Sequence, residues 1–270
     1  MTRYAAPSVH VCPGCNAFFL RRRYRSVNFF GTQDWSDGVP TMLWRQEPLV
    51  RCDACAALFW LDDIEPVGIM PEAPRPIGRL TRGWLRWRGD PEGQLQAQEE
   101  WTETMKSWGQ AQYIGRVNFD DVVYVLSRSK GVDTDRLLWL RQHVWWTFND
   151  RYRSRSDGSP VPDTPNWPAA AERTNMEVIL DILRDDEQQP GSMIQQGELL
   201  RLLGRFDEAI ALLRAVPADG HSEVRAVKIE RLARSGDTQV RELSARFGEY
   251  RCIVGGQSDL SQSSDASARG

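Results

Sequence analysis

A chain of 270 residues, 41% hydrophobic and 26% charged, is long enough to bury a core of one to two domains and too apolar to be disordered. Its net charge of -3 and pI near 5.8 give no overall cationic excess, which excludes charge-driven binding to nucleic acid or anionic membrane except through a local patch. No apolar run approaches the roughly 20 residues that span a bilayer, and MTRYAAPSVH lacks the apolar stretch of a secretion signal, so a cytoplasmic protein with no membrane partner is expected.

The first feature in chain order is a pair of C-x-x-C turns, Cys12-Pro13-Gly14-Cys15 and Cys52-Asp53-Ala54-Cys55, separated by 36 residues. Each turn aims two thiolates at one point, and two such turns complete a tetrahedral four-sulfur site, which favours zinc over harder cations. Disulfides are disfavoured in a cytosolic chain. A thioredoxin-like pair needs a βαβ context that neither turn has. An iron cluster usually comes with other spacings. Cys252 is distant in sequence and reads as an ordinary thiol. The turns are followed by Ala17-Phe18-Phe19-Leu20 and Ala57-Leu58-Phe59-Trp60-Leu61, short aromatic-rich runs suited to strands.

These matched halves resemble the zinc ribbon family over about residues 8 to 65. The resemblance implies a small antiparallel sheet capped by one structural Zn2+ held by Cys12, Cys15, Cys52 and Cys55. The spacer 16–51, with Asn28-Phe29-Phe30-Gly31 and Asp34-Trp35-Ser36-Asp37-Gly38, is longer than many ribbons carry and suits a hairpin or a recognition loop. Inside it lies Arg21-Arg22-Arg23-Tyr24-Arg25, cations interleaved with a ring that can stack on a base. Residues 1–61 hold seven arginines and four acids, and four thiolates around a dication reduce the +3 to about +1. A solvated arginine face, or pairing with Asp62, Asp63 and Glu65, is the blander reading.

Pro66 to Pro76 reads as a connector that closes a module 1–70. A helical domain 77–153 follows. Asp90-Pro91-Glu92 opens a polar helix to about Gly109, Phe119–Ser129 carries Val122, Val123 and Leu126 at helical spacing, and Asp133 caps a helix 135–150 whose apolar face is interrupted only by Arg141. Residues 154–170, rich in Ser, Asp and Pro, form a linker. A helical region 171–250 begins with Glu172–Asp185, and the tail 255–270 is too polar to fold. The eleven tryptophans indicate a well-packed helical core. The fold class is α+β, mostly α.

Gly197 to Ile210 (GELLRLLGRFDEAI) resembles one tetratricopeptide repeat, with Gly197, Gly204, Phe206 and Ala209 at matching offsets. That family implies two antiparallel helices that approach at small residues, and a surface that binds a peptide or partner protein. Pro217 arrives early and shortens the second helix. Ser222–Phe247 repeats the pattern weakly, with a turn at Ser235-Gly236-Asp237 and Arg241 where a small residue is usual.

No catalytic motif occurs. His10, His143 and His221 lie in no recognisable constellation, and Asp62-Asp63 and Asp120-Asp121 are neighbours whose side chains diverge. The leading expectation is a non-enzymatic interaction protein that binds a partner protein through its helical region. Residues 176–216 carry eight acids against four bases, which suits a basic partner segment. The alternatives are a nucleic-acid accessory factor acting through Arg21, Arg22, Arg23, Tyr24 and Arg25, and an immunity or adaptor protein for a toxin or effector.

Overall fold

The computed structural model describes residues 3–26, 34–39, 47–74, 78–88, 93–153, 165, 167–184, 189–218 and 220–243, the side chains at 86, 88 and 221 excepted. The expected linker 154–170 lies largely outside these residues, and the tail 255–270 and Cys252 lie wholly outside.

The cysteine turns each close a hairpin. Strands β1 (Arg3–Val11) and β2 (Phe18–Ser26) flank the first, and β3 (Leu49–Arg51) and β4 (Leu58–Trp60) flank the second. A 3-10 turn at Leu61–Asp63 leads to β5 (Gly68–Ile69), which pairs with β1. Helices α1 (Arg79–Arg88) and α2 (Gln94–Trp108) follow, and then β6 (Gln112–Tyr113) and β7 (Gly115–Arg116) return to the sheets. β6 adds parallel to β2, and β7 adds antiparallel to β3, giving sheets of order β5-β1-β2-β6 and β4-β3-β7. Five residues beyond the connector therefore join the two halves of the cysteine-bearing region. Gly115 gives room for this approach: a Cβ there would sit 2.6 Å from Asp53 Oδ1 and 3.4 Å from the Arg51 carbonyl, so the Asp53 side chain would have to move aside.

The remainder is helical, and the chain is α+β, mostly α. Helix α3 (Phe119–Ser127) starts in a capping box in which Asn118 and Asp121 satisfy each other's amides. Helix α4 (Thr134–Asn149) is capped by Asp133, whose carboxylate accepts the Arg136 amide at 2.9 Å. α5 (Ala169–Arg184), α6 (Pro190–Leu202), α7 (Phe206–Arg214) and α8 (His221–Arg234) pack in sequence on α4, with α6 at the centre. Arg141, the polar break in the α4 face, donates to Asn175 Oδ1 at 3.2 Å, and Asn175 donates back to the Arg141 carbonyl at 3.0 Å. No helix among the described residues is long and apolar enough to cross a membrane.

The strand region docks on α3 and α4. Leu49 joins Val122, Leu140, Val144 and Phe148 in one apolar cluster, and Trp60 meets Trp139 edge to face with ring centres 5.7 Å apart. Asp121 accepts Arg51 at 3.0 Å, and Asp63 accepts Arg136.

A second tie runs through residues 34–39, from within the spacer between the cysteine turns. Trp35 is 3% exposed and bridges to Glu242; the Ser36 amide donates to Arg241 at 2.8 Å, and the Leu243 amide donates to Asp34 at 2.6 Å. Arg225 of α8 donates to the Trp35 carbonyl at 2.6 Å. The Asp37 carboxylate, wholly enclosed, accepts Arg153, Asn149 at 2.8 Å and the Val39 amide at 3.3 Å, while Trp146 donates to the Asp37 carbonyl. Burial pushes Asp37 up from the ordinary carboxylate range, and Arg153 and Asn149 pull against it. Beneath it, Arg201 and Glu198 of α6 form a two-pronged pair at 2.8 and 2.6 Å with both side chains fully buried. The remaining Arg201 donors reach the Asp237 carbonyl, the Gln239 carbonyl at 2.9 Å and Ser36 Oγ at 3.5 Å.

Removing one partner of a buried ion pair strands the other in a low-dielectric interior. Asp37→Ala is expected to lower unfolding stability by about 3–5 kcal/mol, whereas breaking the exposed Arg184–Asp181 pair with Arg184→Ala changes it by less than about 0.5 kcal/mol; urea titrations of the two variants compare them directly.

Candidate metal centre

Each cysteine turn is built by the same two backbone bonds. The Cys12 amide donates to Ala17 and the Asn16 amide to Cys12, both at 2.9 Å; the Cys52 amide donates to Ala57 at 2.9 Å and the Ala56 amide to Cys52 at 2.8 Å. The residue after the second cysteine is left-handed in both turns, with φ of 59° at Asn16 and at Ala56. Asn tolerates that conformation and Ala does not, so the second turn is held against a local preference for the right-handed region. Gly14 lies where the turns meet: a Cβ there would be 3.0 Å from Ala57 Cβ and 3.3 Å from Cys55 Sγ.

The four sulfurs converge. Cys12 Sγ and Cys55 Sγ are 3.7 Å apart, Cys15 Sγ and Cys52 Sγ are 3.8 Å apart, and all four lie within 4.8 Å of one another. Cys12 and Cys52 are buried, Cys15 and Cys55 exposed. The Gly14 amide donates to Cys12 Sγ at 3.3 Å. The Ala57 amide favours the Cys55 thiolate, but the sulfurs of Cys15, Cys52 and Cys12, with burial, outweigh it and push that thiol up to about 12. Four thiolates so close repel each other unless a cation sits among them, and the four cysteines lie within metal-binding distance of one another in the strand region that precedes the helices.

His10 is not part of it. Its ring is buried, accepting from Ser8 Oγ at 2.9 Å through Nε2 and donating from Nδ1 to the Ile64 carbonyl at 3.2 Å, and burial lowers its pKa. His143 stacks on Trp139 with ring centres 4.9 Å apart.

The arginine tract forms much of β2, where alternation sends neighbours to opposite faces. Arg21 pairs with Asp62 at 3.6 Å, Arg22 lies over the Tyr113 ring, and Tyr24 meets Tyr4. A cleft of about 300 Å³ between the sheets is lined by Arg21, Arg22, Tyr24, Glu47, Tyr113 and Arg116. The paired carboxylates are also separated: Asp62 faces Arg21 and Asp63 faces Arg136, while Asp121 caps α3 and holds Arg51.

In the helical hairpin, Gly197 of α6 faces Leu213 of α7 so closely that a Cβ would stand 2.6 Å from Leu213 Cγ. Ala209 is fully buried, and Phe206 packs against the same core. Gly204, at φ 77°, closes α6 with the Arg205 amide reaching the Leu200 carbonyl and the Gly204 amide reaching Arg201, a Schellman closure. Gly236 closes α8 in the same way. Beyond it the expected second helix is not formed over 237–243. Arg201 takes the carbonyls of Asp237 and Gln239, and Asp34 and Ser36 take the backbone of Leu243 and Arg241, so these residues run as an extended strip. Residues 244–247 lie outside the described region.

The Glu198–Arg201 pair and the role of Asp37 went unread in the sequence. The available signal was two opposite charges three residues apart in an otherwise apolar helix, GELLRLLG. No family model, curated protein or solved structure matches the chain.

Two outcomes are expected. Gly197→Ala, which drives a methyl into Leu213, destabilises by about 1–3 kcal/mol, and in combination with Leu213→Ala the loss is smaller than the sum of the single changes; thermal unfolding of all four proteins measures the coupling. Cys52→Ser, which replaces a buried ligand, reduces bound metal from one ion per chain to near none by elemental mass spectrometry.

Proposed function

We propose that the chain is a non-enzymatic adaptor in which one structural zinc closes a ribbon-like module and a tetratricopeptide-like hairpin completes the helical body. The observation that carries this is the closed four-sulfur set: separations of 3.7 and 3.8 Å match the edge of about 3.8 Å in a tetrahedron with Zn–S bonds of about 2.3 Å. Four protein ligands leave no open position for substrate, so the metal supplies folding energy rather than Lewis-acid chemistry. Most of the other acid and base groups weighed above that fall among the described residues, Asp120 and His221 aside, are also in structural use. His10, Asp62, Asp63 and Asp121 each hold a hydrogen bond or ion pair that fixes the fold.

For the partner surface, the faces of α6 and α8 that a groove would offer are covered by residues 34–37 and 237–243. Of the five acids of this region among the described residues, four are matched: Glu177 by Arg173, Asp181 by Arg184, Glu198 by Arg201 and Glu208 by Arg205. That weakens the case for a basic partner segment there. The better-supported surface is the sheet edge at β5, which has β1 on one side and, among the described residues, no strand on the other, with Val67 and Ile69 more than half exposed. An immunity or adaptor role for a toxin or effector is one form of this reading, distinguished by who the partner is.

A second reading has its own observation, the cleft lined by Arg21, Arg22, Tyr24 and Arg116, which fits an anionic nucleic-acid strand. Both are tested by in-host crosslinking with quantitative mass spectrometry, alongside oligonucleotide titrations at two salt concentrations. One stoichiometric protein crosslinked near β5, weakened by Ile69→Arg, supports the adaptor. Salt-sensitive oligonucleotide binding, lost when Arg21, Arg22, Arg23 and Arg25 become alanine, replaces it with the second reading.

A further inference from the structure

Helix α1, RLTRGWLRWR, is not one of the helices expected from the sequence. It holds four arginines and no acid in ten residues, and extending it through Asp90 and Glu92 still leaves +2 (four arginines less two acids). Among its described side chains the one buried is Leu85, 5% exposed, and Arg82 donates to Gln98 of α2 at 3.4 Å. Leu80, Trp84 and Trp87 stand at i, i+4 and i+7, a single stripe on a face turned away from Leu85. They are 91%, 52% and 79% exposed.

A helix that turns its large apolar side chains outward, between cations, is organised for a second phase rather than for this protein's core. We propose that α1 is an interfacial anchor for an anionic lipid surface, the stripe entering the headgroup boundary while the arginines meet phosphate. Charge complementarity selects the anionic surface, since the helix carries no carboxylate to repel it. Leu80 selects lipid over a nucleic-acid strand: it is the most exposed of the three and has no π face on which a base can stack, whereas a lipid boundary accepts Leu and Trp side by side. The net charge of -3 describes the whole molecule and does not oppose this, because screening confines the interaction to groups within about 10 Å of the surface. The contact is peripheral and reversible, as three inserted side chains require.

Full-length protein is sedimented with vesicles of phosphatidylcholine alone and of phosphatidylcholine mixed with phosphatidylglycerol. Binding to the mixed vesicles is expected, weakened by added salt and at least about tenfold stronger than to phosphatidylcholine. Leu80→Glu with Trp87→Glu, and separately Arg79→Gln with Arg82→Gln, each reduce it at least about tenfold while far-UV circular dichroism and metal content stay unchanged. Leu80, Trp87 and Arg79 are exposed, and the unchanged circular dichroism checks that replacing Arg82, which holds Gln98, leaves the fold intact; Ile69→Arg, which tests the adaptor surface, leaves vesicle binding unaltered. Equal sedimentation with both vesicle types, or α1 variants that bind as well as the parent, overturns the proposal. Oligonucleotide binding that the Arg79 and Arg82 changes abolish, without vesicle binding, overturns it in favour of nucleic acid.

Discussion

The arrangement depends on the buried charges at the junction of the spacer and the helices. Glu198 and Arg201 sit in the C-terminal half of α6 with no exposure, and Asp37 is almost as enclosed. Isolated charges in such surroundings cost several kcal/mol each, so the helical array is stable only if these groups find one another and fill their remaining hydrogen-bonding capacity. Arg201 satisfies Glu198 with two donors and then needs carbonyls; the strip 237–239 supplies them. Asp37 needs a cation and an amide, and Arg153 and Asn149 lie at the end of α4 to meet it. The extended course of residues 34–39 and 237–243 follows from that demand rather than from local propensity.

This gives the long spacer a physical reason. A ribbon whose two cysteine turns are joined directly needs only a short loop. Here the chain leaves the first hairpin through β2, delivers Trp35, Ser36 and Asp37 to α4, α6 and α8, and returns to β3 beside the second turn. The four sulfurs fix the ends of that excursion and Asp37 fixes its middle. The clustered sulfurs and the buried ion pairs thus lie on the same closed loop, and each limits the freedom the other must remove.

Much of this was legible in the residues. The two C-x-x-C turns placed the sulfurs, and the capped helix at Asp133 and the Gly204 and Gly236 closures appeared where the pattern put them, because caps and left-handed turns are decided within a few residues. Gly197 and Ala209 stand out in the sequence as small residues in a helical hairpin, and in the structure Gly197 lies against Leu213 and Ala209 is fully buried. What escaped were contacts between distant segments: β6 and β7 joining both sheets, Asp121 serving α3 and Arg51 at once, and residues 34–39 lying on α6 and α8. Two-residue strands carry no periodicity to read, and an Asp in a polar loop looks the same in sequence whether it faces water or an arginine.

The contrast between the two ends of the fold bears on where partners meet it. Among the described residues, nine of the ten large apolar side chains left exposed lie between Tyr4 and Tyr124, and only Val227 lies in the helical array. Selection against aggregation removes such groups unless something covers them or they are thinly scattered. In the array, Glu177, Glu198 and Glu208 are each held by an arginine, and the inner face is lined by the chain's own segments. In the strand region and α1 the exposed residues adjoin a sheet edge and a cationic helix, two features that proteins with no partner blunt or bury. Among the described residues, the apolar surface left open therefore lies on the cysteine-bearing half and α1 rather than on the array.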